Sequence, residues 1–202
     1  MKNIIFGITV TLMIALMACN SNTTTSNTEK SGPQKDSNAA MTQMDQSSIT
    51  NTRSAIKSVA IKHIIVAYLQ LKNAFANDNS GDAATAGKSL LAAITNFDTK
   101  ILSAEQAKIF NDIADDAKEH SEHIGANSGN IKHQREHFVM LSKDIADFTK
   151  TFGNGGQTLY KDFCPMANDG KGAIWISEIK KIKNPYLGKA MPTCGTVKEE
   201  IK

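Results

Sequence analysis

The stretch R53SAIKSVAIKHIIVAYLQLKNAFANDNSG81 decides the fold. Ile56, Val59, Ala60, His63, Ile64, Ala67, Tyr68, Leu71, Ala74 and Phe75 recur at i, i+3 and i+4 steps. That period is the signature of an amphipathic helix with one apolar stripe. Asn77-Asp78-Asn79-Ser80-Gly81 is a cluster of turn residues and stops it. The expected helix runs from about Thr50 to Asn77.

The same pattern repeats downstream. A second helix is expected from Asp82 to Lys100, with Ala83, Ala86, Gly87, Leu90, Leu91, Ile94 and Phe97 facing inward. Ser103-Ala104-Glu105-Gln106 fits a capping box and should open a third helix. That helix carries Phe110, Ile113, Ala114, Ala117 and Ile124 and stops near Gly125 to Gly129. A fourth runs from Asn130 to Phe152, with Ile131, Phe138, Leu141, Ile145, Phe148 and Phe152 on one face, and Gly153-Asn154-Gly155-Gly156 breaks it. Short connections favour antiparallel neighbours, so the expected fold is all-α, an up-down four-helix bundle.

After Gly156 the helical period is lost. The segment to Lys202 holds Cys164-Pro165-Met166, Asn184-Pro185-Tyr186 and Met191-Pro192-Thr193-Cys194-Gly195. It is expected to be irregular, with one or two short helical turns near Ala173 to Ile179. It must pack on the bundle, because Trp175, Ile176, Ile179, Tyr186 and Leu187 need burial. Burying such side chains is worth about 1.5–3 kcal/mol each.

Upstream, residues 1–19 read MKNIIFGITVTLMIALMAC. Lys2 precedes an apolar run from Ile4 to Met17 that is short for a membrane span, so residues 1–18 read as an export signal. Leu16-Met17-Ala18-Cys19 resembles a bacterial lipobox, which implies lipidation of Cys19 by fatty acyl chains such as palmitate. Several acyl chains hold a protein on a membrane stably, at about 0.8 kcal/mol per buried methylene. The expected place is the bacterial cell envelope, on the inner or outer membrane, with the domain in the periplasm or at the surface. Residues 19–48 are rich in Ser, Thr, Asn and Gln and cannot bury enough surface to offset their ordering entropy. They read as a flexible tether ahead of the domain at 49–202.

Composition narrows the function. A net charge of +3 in 202 residues, with lysines dispersed among acids, does not argue for nucleic acid. No Ser-His-Asp order, glycosidase acid pair or metalloprotease helix pattern stands out, and no Cys-x-x-Cys pair marks a thiol redox enzyme. A binding module is expected rather than an enzyme.

The chemistry lies with sulfur. Cys164, Met166, Met191 and Cys194 offer two thiols and two thioethers. Such soft donors select Cu(I), and the thiolates also suit zinc. In an oxidising compartment the alternative for Cys164 and Cys194 is a disulfide, whose loop would contribute roughly 3–4 kcal/mol. If the cysteines bridge, the methionines could hold Cu(I) with a histidine, His63 or His137. The competing reading of the methionines is gap-filling against Trp175 and Tyr186. His63 lies on the apolar stripe, where a hydrogen-bonded core histidine is the plainer reading. His120/His123 and His133/His137 share helix faces at three- and four-residue spacing, which suits a metal but equally a solvated polar face.

The stretches KHQREHFVMLSKDIADF and LYKDFCPMANDGKGAIWISEIKKIKNPYLGKAMPTCGTVKE resemble a helical domain of unknown function from bacterial envelope proteins. The shared pattern includes Gln134-Arg135, Phe138, Leu141-Ser142, Tyr160, Cys164-Pro165-Met166-Ala167, Lys171-Gly172-Ala173, Trp175, Asn184-Pro185-Tyr186, Gly188, Met191 and Cys194-Gly195. Pro192 stands where a leucine is more usual. A similar domain ends periplasmic adaptor subunits of copper and silver efflux pumps. The resemblance implies a metal-linked envelope role, copper above all, with an efflux adaptor as partner. It brings no ligand set.

Overall fold

The computed structural model describes residues 38–202. The expected signal at 1–18, Cys19 and the tether up to residue 37 lie outside the described residues. Four helices follow: α1 (Asn38–Ala76), α2 (Ser80–Thr95), α3 (Ala104–Ala126) and α4 (Ile131–Phe152). α1 begins at Asn38 rather than Thr50, so residues 38–48, read as tether, are helical. Ala39, Ala40, Met41, Gln43 and Met44 are good helix formers, and their polar neighbours hid that propensity.

The helix ends follow capping chemistry. The Asn79 side chain accepts the Asp82 N–H ahead of α2. Ser103 and Gln106 form the expected capping box of α3. Asn130 caps α4 and Gly153, at φ 94°, ends it. α2 stops at Thr95, short of Lys100, because Asp98 caps a separate 3₁₀ turn at Thr99–Ile101.

Ile64, Ile65, Tyr68, Leu71 and Phe75 of α1 are buried with Leu90 of α2, Phe110 and Ile124 of α3, and Phe138, Leu141 and Ile145 of α4. The part of α1 from Ser48 to Ala76 is long and apolar enough to cross a membrane by composition, yet this face lines the bundle core. Three members of the expected stripe fall outside it, since Ile56, Val59 and His63 are exposed. Arg53 donates to the carbonyls of Lys100, Ile101 and Leu102, so α1 passes the α2–α3 connection there.

The C-terminal segment corrects the all-α expectation. It forms a small antiparallel sheet of β1 (Leu159–Cys164), β2 (Ala173–Ser177) and β3 (Thr196–Ile201), in the order β2-β1-β3. Ala173–Ser177, expected as a helical turn, is a strand: Ile174, Trp175 and Ile176 are β-formers, and five residues between turns are too few for a helix. Because Ala173, Trp175, Ile176 and Ser177 are all buried, no two-residue alternation shows in the sequence.

The sheet docks through aromatic rings. Phe138 stacks on Tyr68 at 5.4 Å and meets Tyr186 at 5.5 Å, and Tyr186 meets Trp175 at 6.0 Å. The Tyr68 hydroxyl lies 2.8 Å from the Ser142 hydroxyl and accepts the Ile176 N–H at 3.2 Å. Arg135 binds the carbonyls of Pro185 and Phe75 and pairs with Asp78 at 2.6 Å, joining α4, the end of α1 and the C-terminal segment. Gly188 has φ 52°, and a Cβ there would collide with the Asp78 carboxylate and the Arg135 guanidinium.

A buried polar group also lies at this joint. Lys72 is wholly buried and pairs with Glu178 at 2.7 Å, while Asn73 donates to the other Glu178 oxygen. Burial pushes Glu178 up, but the hydrogen bonds from Lys72 and Asn73 outweigh it and leave its pKa lowered. Asp162 is fully buried opposite Trp175 on the neighbouring strand, and neither of its oxygens closes a hydrogen bond of good geometry among the described residues. Burial raises its pKa to about 7, against the pull of Lys72 and the Trp175 indole N–H.

Candidate metal centres

The fold brings the two cysteines together. Cys164 closes β1 and is fully buried; Cys194 precedes β3 and is half-buried. Both are free thiols, and their sulfurs lie 2.8 Å apart across 30 positions of sequence. The β1–β3 register, with Phe163 facing Thr196, explains the meeting.

The Asn-Pro-Tyr turn holds Cys194 in place. Asn184 donates its amide to the Cys194 carbonyl at 2.7 Å, while its own side-chain oxygen accepts the N–H groups of Tyr186 and Leu187. The Asn184 N–H also reaches the Pro192 carbonyl at 2.9 Å. Gly195 follows at φ 142°, and a Cβ there would press on the Trp175 ring at 2.8 Å. The Cys-Gly pair is therefore set by a close approach to tryptophan.

Both methionines touch Cys194 through backbone. The Cys194 N–H donates to the Met191 carbonyl at 3.2 Å, and the Met166 N–H is directed at the Cys194 sulfur. Cys164 alongside pushes the Cys194 thiol up, burial adds to this, and the Met166 N–H opposes it. A bound cation would reverse the balance, because metals deprotonate coordinating thiols. The methionine side chains are not core fillers: Met166 is 53% exposed and Met191 40%. Met166 also borders a groove of about 290 Å³ against α4, with Arg135, Val139 and Tyr186.

Neither histidine proposed as a third ligand joins the sulfurs. His63 is exposed and borders a groove between α1 and α2 with Val59, Val66 and Phe97. It falls at the rim of the apolar stripe, where the helix has already turned outward. His137 meets other histidines. Its Nδ1 lies 3.2 Å from that of His120, and its ring stacks on His123 at 4.3 Å and meets His133 at 4.7 Å. The donor atoms of His123, His133 and His137 all lie within 4.8 Å of one another.

The two helix-face pairs were visible in sequence, but their convergence was not. It requires the tight α3–α4 connection to place both pairs at the same height. Burial lowers the His120 pKa, against Glu119 and Asp116. Burial and then the neighbouring imidazoles lower that of His137. Neutral imidazole is the ligating form.

Residues 64–157 match the model of a family described as a protein of unknown function (DUF3347). The stretch runs from within α1 to just past α4. It contains the four clustered histidines and ends before the Cys-Pro-Met and Cys-Gly motifs. No curated protein and no solved structure matches the chain. Over residues 64–157 the chain is thus similar to an uncharacterised family.

Proposed function

We propose that this chain is a lipid-anchored bacterial envelope protein that binds Cu(I) through soft sulfur ligands and serves copper homeostasis or efflux. The observation that carries this reading is the meeting of the free thiols of Cys164 and Cys194 beside two methionines whose side chains stand open. Two thiolates with thioether assistance form a donor set suited to Cu(I). A metal–thiolate bond is about 2.3 Å for zinc, so two sulfurs on one ion sit farther apart than 2.8 Å. Cys194, on a half-exposed turn, is the one able to retreat. Zinc is the second metal for the thiolate pair. The efflux adaptor as partner and the lipid at Cys19 rest on the resemblance in sequence.

The test is a Cu(I) titration of the reduced chain against a competing chelator. One ion per chain is expected, with affinity lowered more than about 100-fold in Cys164→Ser/Cys194→Ser. Unchanged affinity in that variant would refute the sulfur site.

The 2.8 Å separation favours a second reading. The pair would close to a disulfide, and the domain would serve as a stapled, metal-free module docking on an efflux adaptor or another envelope protein. Non-reducing mass spectrometry of protein taken from its own envelope separates the two. A mass lighter by two hydrogen atoms, with no Cu(I) uptake before reduction, supports the staple.

A further inference from the structure

We propose that His123, His133 and His137 form a second metal site, independent of the sulfurs, that takes a borderline divalent transition-metal ion such as Zn²⁺, with His120 orienting His137 from behind. Imidazole nitrogen suits zinc, copper and nickel ions of this class, whereas Cu(I) goes to sulfur.

The geometry is nearly made. Zinc–imidazole bonds are about 2.0–2.1 Å, so two nitrogens on one ion lie up to about 4 Å apart. The three donors already fall within 4.8 Å of one another, so closing on an ion needs small ring rotations. His123 is exposed and His133 and His137 are half-buried, so an ion reaches them from solvent. His120 supplies what ligating histidines ordinarily have, a partner for the second ring nitrogen. Its Nδ1 sits 3.2 Å from His137 Nδ1, which leaves His137 Nε2 for the ion. Glu136 does the same for His133, with a carboxylate oxygen 3.3 Å from Nδ1. Three imidazoles leave a fourth position open to water or another ligand.

The support beneath the site is rigid. Gln134 is wholly buried between His133 and Arg135 in sequence. Its amide donates to the Ile124 carbonyl of α3 at 3.0 Å and the Ser80 carbonyl of α2 at 3.2 Å, and its oxygen accepts the Ser80 hydroxyl at 2.7 Å. The Ser80 hydroxyl also accepts the Gly129 N–H in the α3–α4 connection. Asn130 fixes the first turn of α4 by accepting the His133 N–H. The donors are therefore held on two helices locked at their shared end, which is what a preorganised site needs.

The test is a Zn²⁺ titration of the full chain in the Cys164→Ser/Cys194→Ser background, by calorimetry and by shift of the thermal midpoint. One Zn²⁺ per chain is expected in this background, in which the thiolates that also suit zinc are gone. His133→Asn/His137→Asn should weaken it at least about 100-fold while leaving Cu(I) binding in the cysteine-intact chain unchanged. His120→Ala should weaken it about 10-fold, the size of a supporting-partner loss. With Cu²⁺ as probe, nitrogen hyperfine structure in the electron paramagnetic resonance spectrum should vanish in the double histidine variant. Zn²⁺ binding that is absent, or equal in the double histidine variant, would overturn the site. Loss of Cu(I) binding alone in the cysteine variant leaves the histidine site standing, so the two readings fail separately.

Discussion

The sulfur corner and the histidine face are opposite ways of assembling ligands. Cys164 closes β1 and Cys194 lies on the turn before β3, 30 positions on; they meet only because β1 pairs with β3 and because Asn184 and Gly195 hold that turn. The histidines come from two consecutive helices, and a single buried glutamine locks the end they share. The first is as ordered as the docking of the sheet; the second is as ordered as the bundle. Damage to the joint between sheet and bundle should therefore separate them.

The largest effect is expected at Lys72. Lys72→Ala leaves Glu178 half-buried without its ion partner, a loss of about 3–5 kcal/mol. Chemical denaturation should show this, and Cu(I) affinity should fall while the Zn²⁺ affinity of the α3–α4 face persists at temperatures where the helices remain folded. Equal loss at both sites would mean the two regions are one cooperative unit.

Next comes pH. Asp162 has a folded pKa of about 7 against an ordinary value of 3.8, so the folded state holds its proton where the unfolded chain has released it. Below pH 4 both states are protonated and the group is neutral in its effect. As the pH rises toward 7 the fold loses stability, by about 2–4 kcal/mol at roughly 1.4 kcal/mol per pKa unit. Asp162→Asn should flatten that limb in denaturation curves recorded from pH 4 to 8. A slope unchanged by the substitution would place the titration elsewhere.

Asn184→Ala should cost about 2 kcal/mol, because a buried turn loses three side-chain hydrogen bonds. Cu(I) affinity should drop about 10-fold and Zn²⁺ affinity not at all. The smallest effects belong to the methionines. Met166→Leu and Met191→Leu, at exposed positions, should change stability by less than about 0.5 kcal/mol. Cu(I) binding should weaken severalfold in each, and wild-type affinity in both would remove the thioethers from the donor set.

The same contrast explains what could be read from the chain beforehand. Helices announce themselves by period and caps, so Ser103, Asn130 and the buried faces of α2 to α4 were legible. The sheet was not. β2 is buried on both faces and β1 alternates irregularly, so neither shows a two-residue period. The Cys-Pro-Met and Cys-Gly motifs pointed to sulfur because cysteine carries few other roles. They could not show that His137 belongs elsewhere, since nothing local in KHQREHF records that α3 lies alongside. His63 misled for a related reason: one residue at the rim of a helical stripe can face either way. Lys72 sits in an apolar helical run and Asp162 in a stretch without a clear period, and only the docked sheet shows that they are buried.

The central claim is that soft sulfur, not imidazole, holds Cu(I). X-ray absorption at the copper edge of the chain loaded with one Cu(I) tests it most directly. A first shell of sulfur alone is expected, lost in Cys164→Ser/Cys194→Ser. A first shell of nitrogen that disappears in His133→Asn/His137→Asn would contradict the account and move copper to the helical face.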